Sequence, residues 1–290
     1  MNSPTPISGG SATATSDVVP LTGEHLPQAL ALSKALDWPY RIEDWEIALE
    51  LGHGFAAEKD GELVGTALWW PYKPDYASVG MIIVADKAQR QGIGARLMDA
   101  LLADAEGRTM ILNSTVEGEA LYTRLGFEPY DIVHQHQAIL AEAPAIDISV
   151  PLRAATPQDR DSLMAVDRVG SGMGREKLVD ALIQGGETLV VARDEAISGY
   201  AIARRWGRGV VVGPVIARDT TDAKALIAVL AARHVGTFVR IDVTESCGLS
   251  PWLETLGLPH VGRVVSMSRG EPPRKDPRTT LYALSNQSLG

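Results

Sequence analysis

Val79-Gly80-Met81-Ile82-Ile83-Val84 is an apolar run rich in β-branched residues, and it predicts a buried strand. After a polar stretch, Ile93, Leu97 and Leu101 return at helical spacing, with Ala100 and Asp104 beside them, and predict an amphipathic helix over 93–105. A strand over 109–113, a helix over 117–125 and strands running to Ile139 complete this stretch. Upstream, Phe55 to Trp70 reads as a hairpin turning at Asp60-Gly61, a pair suited to the positive φ angles of a tight turn. The alternation of strand and helix patterns places the chain in the α/β class.

The pattern then repeats. Val18-Val19-Pro20-Leu21 is echoed by Ser149-Val150-Pro151-Leu152, the 55–70 hairpin by Leu189 to Trp206, and Leu125-Gly126 by Leu256-Gly257. The echoes are displaced by a near-constant interval of about 130 residues, which points to duplication. The second hairpin turns at Asp194-Glu195. The expected organisation is a flexible tail over 1–16, a first domain over 17–140, a linker over 141–148 and a second domain over 149–290.

Composition adds limits. The chain has 290 residues, enough for two ordinary domains, and no apolar run long enough for a membrane span. The Ser-, Thr-, Pro- and Gly-rich start lacks the pattern of a signal peptide. A single cysteine, Cys247, allows no intrachain disulfide and fits a reducing cytoplasm. The formal net charge of −9 argues against nucleic acid, and no set of residues at metal-ligand spacing stands out.

Between the 79–84 strand and the 93–105 helix lies Gln89-Arg90-Gln91-Gly92-Ile93-Gly94-Ala95-Arg96. Two glycines let the backbone approach a ligand, the helix start offers free N–H groups, and Arg90 and Arg96 add positive charge, so a diphosphate suits the site. The spacing is neither a Rossmann fingerprint nor a P-loop. Strand, Gln-x-x-Gly-x-Gly and helix, followed by Ala120-Leu121-Tyr122-Thr123-Arg124-Leu125-Gly126-Phe127, resemble the GCN5-related N-acetyltransferase (GNAT) superfamily. Asp37-Trp38-Pro39, Glu43-Asp44-Trp45 and His134-Gln135-His136-Gln137 are similar to a bacterial subgroup with a second, divergent domain. The resemblance implies tandem GNAT folds, each a mixed central sheet with splayed strands flanked by helices. It also implies acetyl-CoA as acyl donor.

Within that resemblance, Gln89, Arg90, Gln91, Gly92, Gly94 and Ala95 hold the diphosphate, and the main chain of Ile82 and Val84 holds pantetheine. Tyr122 is the candidate general acid, since a phenol donates a proton to a departing thiolate more readily than water does. The family's Asn before this Tyr has no match, for Thr115 and Gly118 stand at the corresponding positions and Asn113 lies two places early. No carboxylate lies on the 79–84 strand. Glu43, Asp44, Glu46, His134 and His136 are alternatives for the base, and an amine arriving partly neutral needs none. Acceptor recognition falls to aromatics and a carboxylate around Trp38, Asp44, Trp70 and His134, with Tyr40, Trp45, Trp69, Tyr72 and Tyr76 nearby. A plain packing role is the competing reading for each.

The second half departs from the motif. After Val212 to Ala217 comes Arg218-Asp219-Thr220-Thr221-Asp222, with no glycine and two carboxylates that would repel a diphosphate, and Trp252 stands where Tyr122 does. That half is expected to lack its own acetyl-CoA site. The expected function is N-acetylation of a small primary amine by direct attack in a ternary complex. The alternatives are a peptide or protein N-acetyltransferase and a non-catalytic CoA-sensing module.

Overall fold

The computed structural model describes residues 16–145, 149–194, 196–274 and 276–290. Most of the expected tail, part of the linker and Glu195 of the second hairpin turn lie outside the described residues. The first half runs β1 (Asp17–Pro20), α1 (Leu26–Ala35), α2 (Ile42–Leu51), β2 (His53–Lys59), β3 (Glu62–Tyr72), β4 (Tyr76–Val84), α3 (Ile93–Asp104), β5 (Thr109–Ser114), α4 (Val116–Arg124) and β6 (Glu128–Ile139). The second half repeats this order as β7 (Leu152–Ala154), α5 (Arg160–Ser171), α6 (Glu176–Gly185), β8 (Gly186–Arg193), β9 (Ala196–Trp206), β10 (Gly209–Ala217), α7 (Thr220–Ala232), β11 (Phe238–Thr244), α8 (Ser250–Thr255) and β12 (His260–Arg269). A last strand, β13 (Thr280–Ala283), has no counterpart among the described residues of the first half.

Among the described residues, all the strands join one 13-stranded sheet, ordered β1-β2-β3-β4-β5-β12-β6-β11-β13-β10-β9-β8-β7. The fold is mixed α/β with a large mixed sheet flanked by helices. The halves exchange their sixth strands. Strand β12 lies between β5 and β6, with Ser266 opposite Asn113 and Val264 opposite Val133, while β6 lies against β11, with His134 opposite Val243. The hairpin turn carries positive φ at both Asp60 and Gly61, so the sequence pair fits the local geometry.

Side-chain alternation sorts the helices. Leu68, Trp70 and Tyr72 of β3 share one core with Tyr200 and Ile202 of β9, under α1, α2, α5 and α6. Their neighbours Ala67 and Trp69 face α3 and α4, and Ala201 and Ala203 face α7 and α8. One face is therefore a continuous core across both halves, and the other carries two separate ones.

In each half two parallel strands pair briefly and then part. Strands β4 and β5 pair from Tyr76–Thr109 to Val79–Leu112, and β10 and β11 pair at Val210–Val239 and Val211–Arg240. Beyond Val79, the β5-facing edge of β4 has no strand partner among the described residues. A bulge where Thr66 opposes Ile83 and Leu68 opposes Gly80 helps β4 turn away, with Met81 at φ +50° and its carbonyl accepting the Thr66 hydroxyl at 2.8 Å. In the second half β13 fills the equivalent gap, with Val215 opposite Ala283 on one side and Val243 opposite Ala283 on the other.

Candidate active site

The gap beside β4 leads to the start of α3. Gly92 stands at its N-cap with φ +76°, a left-handed geometry that glycine adopts without strain, and no side chain among the described residues caps the helix. The first helical bond is Arg96 N to Gly92 O at 3.1 Å, so the N–H groups of Ile93, Gly94 and Ala95 stay open at the positive end of the dipole. Side chains brace the loop: Gln89 Nε2 donates to Asp86 Oδ1 at 2.9 Å and Val84 O at 3.4 Å, and Gln91 Nε2 donates to Lys87 O at 3.1 Å. Gln89 and Gln91 thus shape the loop through their side chains. Arg96 is engaged by Ser16, donating to its carbonyl at 2.7 Å and to its hydroxyl, which leaves exposed Arg90 as the loop's own free-standing cation among the described residues.

The matching helix of the second half is built differently. Asp219 caps α7, accepting from Asp222 N at 2.9 Å, and the buried Asp222 carboxylate pairs with Arg193 at 2.6 and 2.7 Å. The open donors of α3 have become closed ones in α7.

Helix α4 sets Tyr122 next to the loop, since its neighbour Leu121 would lie 3.8 Å from a Cβ at Gly94. Tyr122 is 9% exposed, its ring edge-on to Phe127 at 6.0 Å, and its hydroxyl has no hydrogen-bond partner among the described residues. Burial pushes this phenol up to about 12, so it keeps its proton throughout the neutral range. The ring passes over Gly118, where a Cβ would lie 2.8 Å from Tyr122 Cε2 and 3.0 Å from Ser114 Oγ. Gly118→Ala should therefore displace the tyrosine despite the roughly 1 kcal/mol of helix propensity that alanine adds. The expected result is at least a tenfold loss of turnover with helix content unchanged; full activity in steady-state assays would free Tyr122 from that constraint.

The expected acceptor residues are not all in one place. Trp38 meets Tyr40 edge-on at 6.1 Å, and Tyr40 also meets Trp45 at 6.1 Å and Trp206 of the second half at 5.9 Å. Trp70 is 1% exposed and donates from Nε1 to Ala48 O at 2.8 Å, a packing contact. Asp44 is fully buried and accepts from Arg41 Nη2 at 2.6 Å, Arg41 N at 2.9 Å and Gly207 N at 2.8 Å, clamping the halves together. These three belong to the α1/α2 side. His134 lies on the opposite face, beside His260 at 3.1 Å and Glu245 at 3.5 Å. His136 shares that face, bound to Leu258 O and Ser250 Oγ at 2.9 Å each, and burial lowers its pKa. Among the remaining carboxylates named from the sequence, Glu43 approaches Arg41 at 3.9 Å.

One part of the site had no sequence signal. The segment after β13 runs across the α1/α2 side of the first half where β4 and β5 part. Ser78 Oγ donates to Ser288 O at 2.8 Å, Tyr72 OH to Leu289 O at 2.6 Å, and Asn113 Nδ2 to Gln287 O at 2.8 Å. Tyr40 OH lies 3.1 Å from Ser288 Oγ, and a Cβ on Gly80 would come within 2.8 Å of Ser288 Cβ, so glycine at 80 permits the crossing. Arg175 Nη1 holds Gly290 O at 2.8 Å.

Comparison with known proteins agrees with this architecture. Two models described as "Acetyltransferase (GNAT) domain" match residues 50–129 and 163–283. The chain is 27% identical to the "Uncharacterized N-acetyltransferase YitH" of Bacillus subtilis, covering 94% of this chain and 98% of that one. It is 24% identical to "Holothin acyltransferase" of a Pseudoalteromonas species, covering 87% and 93%. A crystal structure of a putative acetyltransferase from Pyrococcus horikoshii superposes with a TM-score of 0.81 at 18% identity, covering 98% and 99%, which speaks to the fold. No helix among the described residues is long and apolar enough to cross a membrane. Strand order, open helix start and both matched segments agree: the chain belongs to the GCN5-related N-acetyltransferase superfamily, carries two GNAT-like domains in tandem, and is an acyltransferase.

Proposed function

We propose that the first half, residues 17–140, transfers an acetyl group from acetyl-CoA to a small primary amine by direct attack in a ternary complex. The observation that carries this reading is the pairing of an unfilled β4/β5 gap with the uncapped start of α3, beside Tyr122. The residues present fit the donor. Open N–H groups of Ile93, Gly94 and Ala95 with Arg90 suit its diphosphate, and the unpaired edge of β4 at Ile82 and Val84 offers main-chain partners for pantetheine. A nitrogen lone pair forms the new C–N bond while the C–S bond breaks with its electrons going to sulfur. The proton lost by nitrogen balances the one that Tyr122 delivers to sulfur. A small-molecule acceptor is supported by a relative named for acylating holothin.

The second half, residues 149–290, serves as scaffold in this reading. Its gap holds β13 and its α7 is capped by a carboxylate, so it presents no donor site. Calorimetry is expected to find one acetyl-CoA bound per chain; two would overturn the division of labour. Release of CoA followed with a thiol reagent across an amine panel tests the activity itself. Acetyl-CoA binding with no turnover of amines or peptides would instead favour a CoA-sensing module.

A further inference from the structure

The turn from β3 to β4 is pinned to the second half, with Lys73 N donating to Gly174 O at 2.9 Å and Gly174 N to Lys73 O at 2.8 Å. Beside this contact lies a cavity of about 240 Å³. It is bounded by the end of α2, the end of β3 and its turn, Arg108 ahead of β5, and the start of α6. The volume is just below the range of drug-sized pockets and leaves room for a ligand of about ten heavy atoms. The cavity stands apart from the gap proposed for the donor. It borders Tyr72, which pairs with Tyr76 at the start of β4, whereas α3 follows the far end of that strand at Val84, roughly 25 Å of strand away.

The inner wall is apolar because its polar groups are already engaged. Trp70 and Tyr72 are buried, and they donate to Ala48 O at 2.8 Å and to Leu289 O at 2.6 Å. The Arg175 guanidinium is held by Asp167 and Gly290 O. Leu51, Pro71, Pro74 and Leu178 complete the wall.

The rim is cationic. Lys73 and Lys177 are exposed and Arg108 is half-buried. Arg108 Nη1 donates to Tyr72 O and Tyr76 O at 3.3 Å each, and neither Arg108 nor Lys177 has an ion-pair partner among the described residues. The one acid in the lining is Glu176, which is bonded to Arg168 and lies 3.9 Å from Lys73. Asp75, next along the turn, is outside the lining and pairs with none of these cations among the described residues. Positive charge therefore gathers at this one mouth in a chain whose formal net charge is −9.

We propose that this cavity is a second ligand site, for a small organic monocarboxylate whose apolar body lies against Tyr72 and Leu178 and whose carboxylate meets Arg108, Lys73 and Lys177. The body gains by leaving water, and the carboxylate gains charge-assisted bonds from a guanidinium fork and two ammonium groups. An amine of the same shape would meet three like charges. A phosphate dianion suits the site less well, because desolvation grows with the square of the charge and attraction only in proportion to it. The site does not depend on the acetyl-transfer reading.

Calorimetry on the full-length protein with phenylacetate and its neutral counterpart phenylacetamide tests the proposal. Phenylacetate is expected to bind at least about tenfold more tightly, the sum of three part-exposed ion pairs, and to lose that advantage as salt is raised. Lys73→Gln with Lys177→Gln, both at exposed positions, should cut the advantage at least about threefold and leave the phenylacetamide dissociation constant within about twofold. Leu51→Trp, which fills the wall, should weaken both ligands. Saturating acetyl-CoA should leave the phenylacetate dissociation constant unchanged. Phenylacetate binding no tighter than phenylacetamide overturns the proposal. So does an advantage unmoved in the folded double-lysine variant, competition between phenylacetate and acetyl-CoA, or tighter binding of phenyl phosphate. Selective phenylacetate binding by a protein that binds no acetyl-CoA would support this site while overturning the acetyl-transfer reading.

Discussion

Tyr122→Phe is expected to lower kcat by about 100-fold while leaving the acetyl-CoA dissociation constant within about twofold, as for loss of a positioned general acid. The ring keeps its contact with Phe127 and its seat over Gly118, so the substitution removes the proton and little packing. Burial pushes the phenol up to about 12, which has a consequence for the pH profile. Turnover should climb as the amine loses its proton, and Tyr122 should impose no decline below a pH of about 11. Steady-state rates from pH 6 to 10 for both proteins make the comparison. A phenylalanine variant as fast as wild type at every pH would remove Tyr122 from the chemistry.

Arg175→Ala is expected to cost about 3–5 kcal/mol of folding stability, the range for breaking a buried ion pair from one side. Arg175 is 2% exposed and grips Asp167 through Nε at 3.1 Å and Nη2 at 2.6 Å, while its Nη1 holds Gly290 O. Asp167 also accepts the Tyr200 hydroxyl at 2.6 Å. Burial alone would lower the Arg175 guanidinium, but Asp167 overrides it and holds the group well above its ordinary value. Burial likewise raises the Tyr200 phenol, with Asp167 adding to it. Removing the arginine leaves a buried carboxylate with one neutral donor. Replacing both partners, as Arg175→Met with Asp167→Leu, should recover most of the loss, because neither charge then remains to be desolvated. Urea denaturation of both variants decides this; a single-variant loss below about 1 kcal/mol would mean that the pair is solvated.

The strand, turn and helix proposed to receive the donor were legible as local structure because their signals are local. Val79 to Val84 reads as a strand, Gly92 and Gly94 as a close-approach turn, and Ile93, Leu97 and Leu101 as a helix face, all within one short stretch. Asp219 and Asp222 were readable for the same reason, since a helix cap is set by its own first turn. Where the expected acceptor residues end up depends on distant pairing. The period of a strand puts His134 and His136 on one face, yet says nothing of which helices cover it. Trp70 and Asp44 have the composition of a binding site, and only tertiary packing decides that Trp70 bonds Ala48 and Asp44 bonds Gly207. Ser285 to Ser288 is polar and aperiodic, so it reads as a tail, although Asn286 Oδ1 accepts from both Ser288 N and Leu289 N to hold a buried turn. The exchange of β6 and β12 was hidden by the duplication itself. Equivalent strands offer equivalent hydrophobic patterns to either half, and no local feature breaks the tie.

That exchange has a consequence for synthesis on the ribosome. The edge of β5 meets β12, whose last residue is Arg269, so the first half emerges with that edge bare and must wait for most of the second half. Until then it is an incomplete sheet exposing backbone donors and acceptors, the kind of species that nascent-chain chaperones bind. A ribosome that stalls or terminates between Ile139 and His260 releases no working small enzyme, only a chain with an unfilled slot. Unlike tandem domains strung as independent beads, these two mature together or not at all.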